Sequence, residues 1–248
     1  MRILKSTREL DRFFLQLRQA DKRALLLDYD GTLAPFQVER DTAIPYPGVR
    51  ERLQAILAGK HTRLVVISGR QIADLIPLLG MDPLPELWGS HGWERLLPDQ
   101  TYQGPCLETP HRCGLARART WGEEQGWQDR YESKPASLAL HWRGLPEEEI
   151  TRLRQTVLEA WTPIARESGL VIHEFDGGVE LRVPGQTKGD AVQTILAEMD
   201  TDAVVAYLGD DLTDEDAFQA LGNHGLSVLV RPVFRPTAAD VWIIPPTE

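Results

Sequence analysis

The sequence predicts an α/β protein with a doubly wound, mostly parallel sheet and an inserted α+β module. Three observations carry this. Short apolar runs at 24–27, 64–67 and 203–208 each stop at a cluster of polar, chemistry-bearing residues. Helically patterned segments alternate with the runs, as parallel strands joined by crossovers require. Between 108 and 183 the pattern changes to a helix followed by paired extended runs, twice over.

Ser6-Thr-Arg-Glu9 fits a capping box and starts an amphipathic helix to about residue 19. The run 24–27 does not alternate, so it reads as a strand buried on both faces. Pro47 and Gly48 introduce a helix with Val49, Leu53, Ile56 and Leu57 at helical spacing, closed by Gly59. After the second strand, 64–67, a helix over 72–79 is kinked or shortened by Pro77, which has no amide to donate. The middle section holds a helix at 112–125 and extended runs at 130–134 and 138–143. A second helix, 147–166, follows Pro146, and runs 171–175 and 179–183 are joined by Asp176-Gly-Gly178, a tight-turn signal. A helix then opens at Thr187, the strand 203–208 follows, and a helix from about Asp214 leads to short strands at 226–230 and 241–244. The expected organisation is a Rossmann-like core of 1–107 and 184–248 with a cap of 108–183.

Composition narrows the partners. The 248 residues are 42% hydrophobic and 26% charged, ordinary for a folded chain. A formal charge of −10 argues against nucleic acid, whose phosphates are bound by clustered Lys and Arg. An anionic small molecule then needs a metal ion or locally converged cations. No apolar run has the length of a membrane span or a signal peptide, so the expectation is a cytoplasmic protein that binds no membrane. Cys106 and Cys113 are too few for a disulfide framework. Oligomeric state is not legible, and a monomer is compatible with the sequence.

Ligands of open α/β sheets bind beyond the carboxyl ends of the strands, where this chain places Asp28 and Asp30, then Ser68, then Asp210 and Asp211. Asp28 and Asp30 are two apart on an extended segment and can face one pocket, Gly31 lets the chain turn away, and Thr32 adds a hydroxyl. Such a carboxylate pair either raises a pKa or recruits a cation. One Asp can attack phosphorus while the other carries a proton. An acidic turn after a strand is the plainer alternative. In Gly209-Asp-Asp-Leu-Thr-Asp-Glu-Asp216, Thr213 could cap a helix with acids in its first turn; alternatively Asp210 joins Asp28 to hold Mg²⁺. Ser68 reads either as a helix cap or as a phosphate donor. Lys188 reads either as a surface lysine or as the charge that keeps Asp28 ionised.

With these residues in place, the chain resembles the haloacid dehalogenase-like superfamily and, within it, the trehalose-6-phosphate phosphatase family. Asp28-Tyr-Asp-Gly-Thr-Leu33, Ile67-Ser-Gly-Arg70, Lys188-Gly189 and Gly209-Asp-Asp-x-Thr-Asp-Glu215 match its four motifs. Gly89-Ser-His-Gly92 with Glu94, and Glu132-x-Lys134 leading into Leu140-His-Trp-Arg143, are the more family-specific segments. The resemblance implies Asp28 as nucleophile and Mg²⁺ ligand. It implies Asp30 as general acid/base that also lends a carbonyl to the metal, Asp210 as a further ligand, and Asp214 in support. Thr32, Ser68, Gly69, Arg70, His91 and Lys188 are the expected phosphate-side residues, and Glu132, Lys134, Arg143 and Glu180 the expected sugar-side ones. Cross-strand ion pairing is the plain alternative for Glu132, Lys134 and Glu180. The implied substrate is a small sugar phosphate, trehalose 6-phosphate first. Glucosyl-3-phosphoglycerate, sucrose 6-phosphate, a mutase reaction and a non-catalytic sensor are the alternatives.

Overall fold

The computed structural model describes residues 1–37, 39–175 and 177–246. In chain order the strands and helices are β1 (Arg2–Ile3), α1 (Thr7–Gln19), β2 (Arg23–Leu27), α2 (Val49–Gly59), β3 (Thr62–Ile67), α3 (Ile72–Leu79), β4 (Glu86–Gly89), β5 (Glu94–Leu96), β6 (Tyr102–Gln103), α4 (Thr109–Glu124), β7 (Tyr131–Lys134), β8 (Ser137–His141), α5 (Glu147–Ser168), β9 (Val171–Phe175), β10 (Gly178–Arg182), α6 (Lys188–Ala197), β11 (Val204–Gly209), α7 (Thr213–Leu221), β12 (Gly225–Val230) and β13 (Val241–Ile243). They fall into two compact units, Met1–Gln103 with Gln186–Glu248, and Gly104–Gly185. No helix among the described residues is long and apolar enough to cross a membrane.

The larger unit is built on a sheet of order β1-β13-β12-β11-β2-β3-β4-β5-β6. β13 through β4 run parallel, and β1, β5 and β6 join antiparallel at the edges. The central strands are continuous apolar runs because both faces are covered. On one face Leu26, Val65, Ile67 and Tyr207 pack with Val192 and Ile195 of α6 and Phe218 of α7. On the other, Leu27, Leu64 and Val66 pack with Leu53 of α2 and Leu75 and Leu79 of α3. β2 is flanked by β11 on one side and β3 on the other, so successive connections leave it in opposite directions. That opens a crevice at the carboxyl ends of β2 and β11.

Local expectations fare unevenly. α1 forms, yet Ser6 makes no side-chain cap hydrogen bond, so its capping box is not realised. Thr187 and Asp190 form a true capping box instead, opening α6. The left-handed residue ending α2 is Lys60 (φ 55°), one beyond Gly59. Pro77 lies inside α3, which ends at Gly80 after eight residues. Gln71 holds the N-cap position of α3 and Leu212 that of α7, which rules out Ser68 and Thr213 as caps. The Asp176 turn signal lies outside the described residues.

The smaller unit has α4 and α5 with an antiparallel sheet of order β7-β8-β10-β9. Alternation sends Leu138, Leu140, Val179 and Leu181 into the core. Glu132, Ala139, Glu180 and His173 form one cross-strand row on the opposite face. α4 buries a stripe of small residues, Gly114, Ala118 and Gly122. A Cβ at Gly122 would come 2.1 Å from Cζ of Tyr131, whose ring stacks near Trp161 at 6.3 Å. Gly122→Ala therefore sets a helix-propensity gain of about 1 kcal/mol against an overpacking cost of about 1–3 kcal/mol. The ring cannot swing away from Trp161 without leaving its packing, so overpacking should win. A lower urea midpoint for Gly122→Ala is the expected outcome, and a higher one would show that the ring yields.

Candidate active site

Asp28, Asp210, Asp214 and Lys188 converge in the crevice beyond β2 and β11. The chain leaving β2 donates the Asp28 amide to Leu208 O at 2.8 Å, which keeps the two strand ends together past the last residue of β2. α6 begins at Lys188 and aims its ammonium into the crevice. Lys188 Nζ donates to Asp28 Oδ1 at 2.5 Å and to Asp214 Oδ1 at 2.7 Å. Asp28 and Asp210 are each 3% exposed, Lys188 4% and Asp214 0%. One carboxylate oxygen from each of the three acids lies within 4.8 Å of the others.

The acids differ in their surroundings. Asp214 Oδ1 also accepts from Tyr207 Oη at 2.6 Å, and its Oδ2 accepts from the amides of Asp210 and Asp211 at 3.0 and 2.9 Å. Four donors fill the roughly four lone-pair positions of a carboxylate. Burial pushes Asp214 up, but the Lys188 charge and these hydrogen bonds outweigh it and hold Asp214 below the usual carboxyl range. Burial, then the Asp214 charge, raise Asp28 to about 7 against the pull of Lys188. Burial, then Asp28 and Asp214, raise Asp210 to about 9. Thr32 Oγ1 donates to Asp28 Oδ2 at 3.1 Å. Gly31 has φ +83°, and a Cβ there would lie 2.3 Å from Asp210 Oδ2, so the close approach of these segments requires glycine.

Asp30 is engaged by Arg70, while Lys188 serves Asp28 and Asp214. Arg70 Nε and Nη2 donate to the two Asp30 oxygens at 2.7 and 2.6 Å, and the guanidinium lies 5.8 Å over the Tyr29 ring. Arg70 thus engages Asp30 and is itself buried. Ser68 Oγ accepts the Arg70 amide at 3.1 Å. The ring of His91 covers Gly69, whose Cβ would stand 2.6 Å from it. His91 and Ser90 take left-handed φ of 58° and 51°. Their loop is held by Ser90 N donating to Arg70 O (2.7 Å), His91 N to Ser68 O (3.0 Å), and Ser90 Oγ to buried Glu94 (2.6 Å).

In the smaller unit, Lys134 Nζ lies 3.3 Å from Glu180 and 3.8 Å from Glu132. Ser137 Oγ donates to Glu180 at 2.7 Å, and His141 Nε2 pairs with Glu132 at 2.9 Å. Arg143 runs beside Gly177.

A model of the trehalose-phosphatase family matches residues 26–241. The chain belongs to that family. A trehalose-phosphate phosphatase of Mycobacterium marinum is 30% identical over 226 residues, 84% of this chain and 54% of the relative. The chain therefore spans about half the length of the curated relatives it matches. The structure of Aspergillus fumigatus trehalose-6-phosphate phosphatase is similar with 26% identity and a TM-score of 0.64, covering 96% of this chain and 93% of that one. A phosphatase of the haloalkanoate (HAD) superfamily from Bacteroides thetaiotaomicron shares the fold with 14% identity and a TM-score of 0.58, over 90% and 89% of the two chains.

The donor set of this trehalose-phosphatase family member fits a hard divalent cation. Burial first, and the neighbouring carboxylates second, push Asp28 and Asp210 up to about 7 and about 9, a cost of ionisation that a cation offsets. Asp214 has its lone pairs spent on Lys188, Tyr207 and two amides, which leaves it a positioning part. Sequence reasoning missed Tyr207, read only as a strand residue, and Ser137. A polar atom on an otherwise apolar buried strand was the available signal for Tyr207.

The raised carboxyls give a pH prediction for cation-free protein. A carboxyl raised in the folded state contributes stability that is full below its unfolded value, near 3.8, and is lost as pH rises through the folded values of about 7 and about 9. In chelator, the wild-type urea midpoint should fall between pH 5 and 9, and Asp210→Asn should flatten the upper part of that fall. Parallel profiles would remove Asp210 as its cause.

Proposed function

We propose that this chain is a Mg²⁺-dependent phosphatase that hydrolyses trehalose 6-phosphate to trehalose and phosphate through an aspartyl-phosphate on Asp28. The observation that carries the reading is the Asp28 carboxylate, buried at the strand end between Lys188 and Thr32 and beside Asp210, in a chain of the trehalose-phosphatase family.

In this reading an Asp28 oxygen attacks phosphorus and the bond from phosphorus to the sugar oxygen breaks. Asp30 gives its proton to the leaving oxygen, which requires its fork with Arg70 to open as substrate enters. Water then attacks the phosphoryl group, Asp30 takes the proton, and the Asp28 carboxylate leaves. Lys188 steadies Asp28 and the charge that grows on the phosphoryl oxygens. Ser68, Gly69, Arg70, Thr32 and His91 serve the phosphoryl side. Asp28 and Asp210, with the Asp30 carbonyl, would hold the magnesium ion, which supplies charge neutralisation for the phosphoryl oxygens. Glu132, Lys134, Arg143 and Glu180 would bind sugar hydroxyls, making the smaller unit the specificity cap. The setting is cytoplasmic, and the partner is the sugar phosphate.

Phosphate release across a panel of sugar phosphates tests this. Trehalose 6-phosphate should exceed glucose 6-phosphate, sucrose 6-phosphate and glucosyl-3-phosphoglycerate in kcat/KM, by about 10²-fold over glucose 6-phosphate, and chelation should abolish release. Asp28→Asn, folded by circular dichroism, should lose roughly 10³-fold or more in kcat. Full turnover by that variant would end the covalent reading, and equal rates on all sugars would end the substrate assignment.

A further inference from the structure

The turn that carries Asp210 into α7 presents two backbone carbonyls, and two arginines from the loop after β12 take them. The Asp210 carbonyl accepts from Arg231 Nη1 at 3.2 Å and Arg235 Nη2 at 3.4 Å, and the Asp211 carbonyl accepts from Arg235 Nη2 at 2.7 Å. Arg235 Nη1 pairs with Glu215 in the first turn of α7 and donates to Pro236 O at 3.0 Å. The second Glu215 oxygen accepts the Ala238 amide at 2.8 Å. One planar guanidinium thus ties together the turn, the helix start and its own loop, with its side chain 15% exposed and that of Glu215 17%. Arg231 is fixed by its backbone, its amide donating to Ile243 O at 3.0 Å and its carbonyl accepting from Trp242 Nε1 at 2.8 Å.

The contacts of these arginines are with the peptide carbonyls at 210 and 211 and not with the Asp210 carboxylate. Holding both carbonyls fixes the backbone at 210 and 211, and with it the direction in which the Asp210 side chain leaves the chain. A forked, rigid donor suits that task better than a flexible ammonium. We infer that Arg231 and Arg235 are positioning residues that set the affinity for the divalent cation by orienting Asp210. The inference rests on the assignment of that cation to Asp28 and Asp210.

The sign of the effect separates this role from plain electrostatics. Removing a positive charge near a cation site tightens binding if charge alone matters, whereas losing a device that orients a ligand weakens it. Outer partners of metal ligands typically carry about 10–100-fold in affinity. Calorimetric titration of Mg²⁺ into the full, chelator-stripped chain should show that loss for Arg235→Met. A smaller loss is expected for Arg231→Met, which removes a single contact, and an intermediate one for Arg235→Lys. In phosphatase assays the Mg²⁺ half-saturation should shift in parallel, while kcat at saturating Mg²⁺ returns towards wild type. If Arg235→Met does not fold, Arg231→Met carries the test. Unchanged or tighter Mg²⁺ binding in the folded Met variants overturns the inference, even where their melting temperature in chelator falls. Wild-type protein that takes up no Mg²⁺ would overturn the underlying cation assignment and this inference with it.

Discussion

Lys188 brings its ammonium between Asp28 and Asp214, at 2.5 and 2.7 Å, in a part of the core where all three side chains are almost fully buried. An isolated charge there would shed or take up a proton rather than stay ionised. The ammonium stays charged because two carboxylates share it, and burial fails to lower its pKa against their pull. The position is fixed from behind, since Lys188 is the first residue of α6 and the Thr187–Asp190 capping box holds that helix start. Capping and electrostatics thus act on one residue.

A single ammonium cannot offset three carboxylates, and the environment decides which acid is left over. Asp210 and Asp214 are four residues apart, yet one sits below the carboxyl range and the other well above it. Burial raises both; at Asp214 the Lys188 charge and the hydrogen bonds outweigh it, whereas at Asp210 the charges of Asp28 and Asp214 add to it. Asp214 receives two amides, a phenol and an ammonium, so its charge is distributed into hydrogen bonds made on folding. Asp210 gives its amide to Asp214 and its carbonyl to two arginines, while its carboxylate meets the charge of its neighbours. The fold has spent its donors on Asp214 and its acceptors on the arginines. What remains is an oxygen-rich corner with surplus negative charge, which a cation or a proton offsets.

Much of this was legible in the sequence because the signals are local. Each apolar run ending in a reactive residue became a central strand with that residue at its carboxyl end. β9 was bounded correctly, and the antiparallel smaller sheet followed from its paired runs. What was not legible has a different origin. Arg70 engages Asp30 across 40 positions, and Tyr207 and Ser137 gained their roles from partners that no spacing rule connects. β1, β5 and β6 are two or three residues long and exist through antiparallel pairing at the edges, so no periodicity announced them. Ser6-x-x-Glu9 and Thr187-x-x-Asp190 look alike as strings. Whether the hydroxyl meets the third amide depends on how the chain enters the helix, and tertiary packing sets that.

The smaller unit carries a row of charged side chains that satisfy one another. Glu132, Lys134 and Glu180 have charges that would be costly to leave bare at partial burial, and they are compensated by one another, by Ser137 and by His141. Ala139 separates the two glutamates across the strands, so the floor between them is small and flat while the walls carry donors and acceptors. A sugar entering such a face replaces hydrogen bonds that already exist. The exchange is favourable only where each displaced group regains a partner, because a buried polar group left unmatched costs about 1–3 kcal/mol. Discrimination then comes from the penalties that ill-fitting sugars incur, which grow with every hydroxyl out of place. Mutual pairing of these residues is therefore no argument against the proposed sugar binding; under that proposal it would be the arrangement the sugar has to displace.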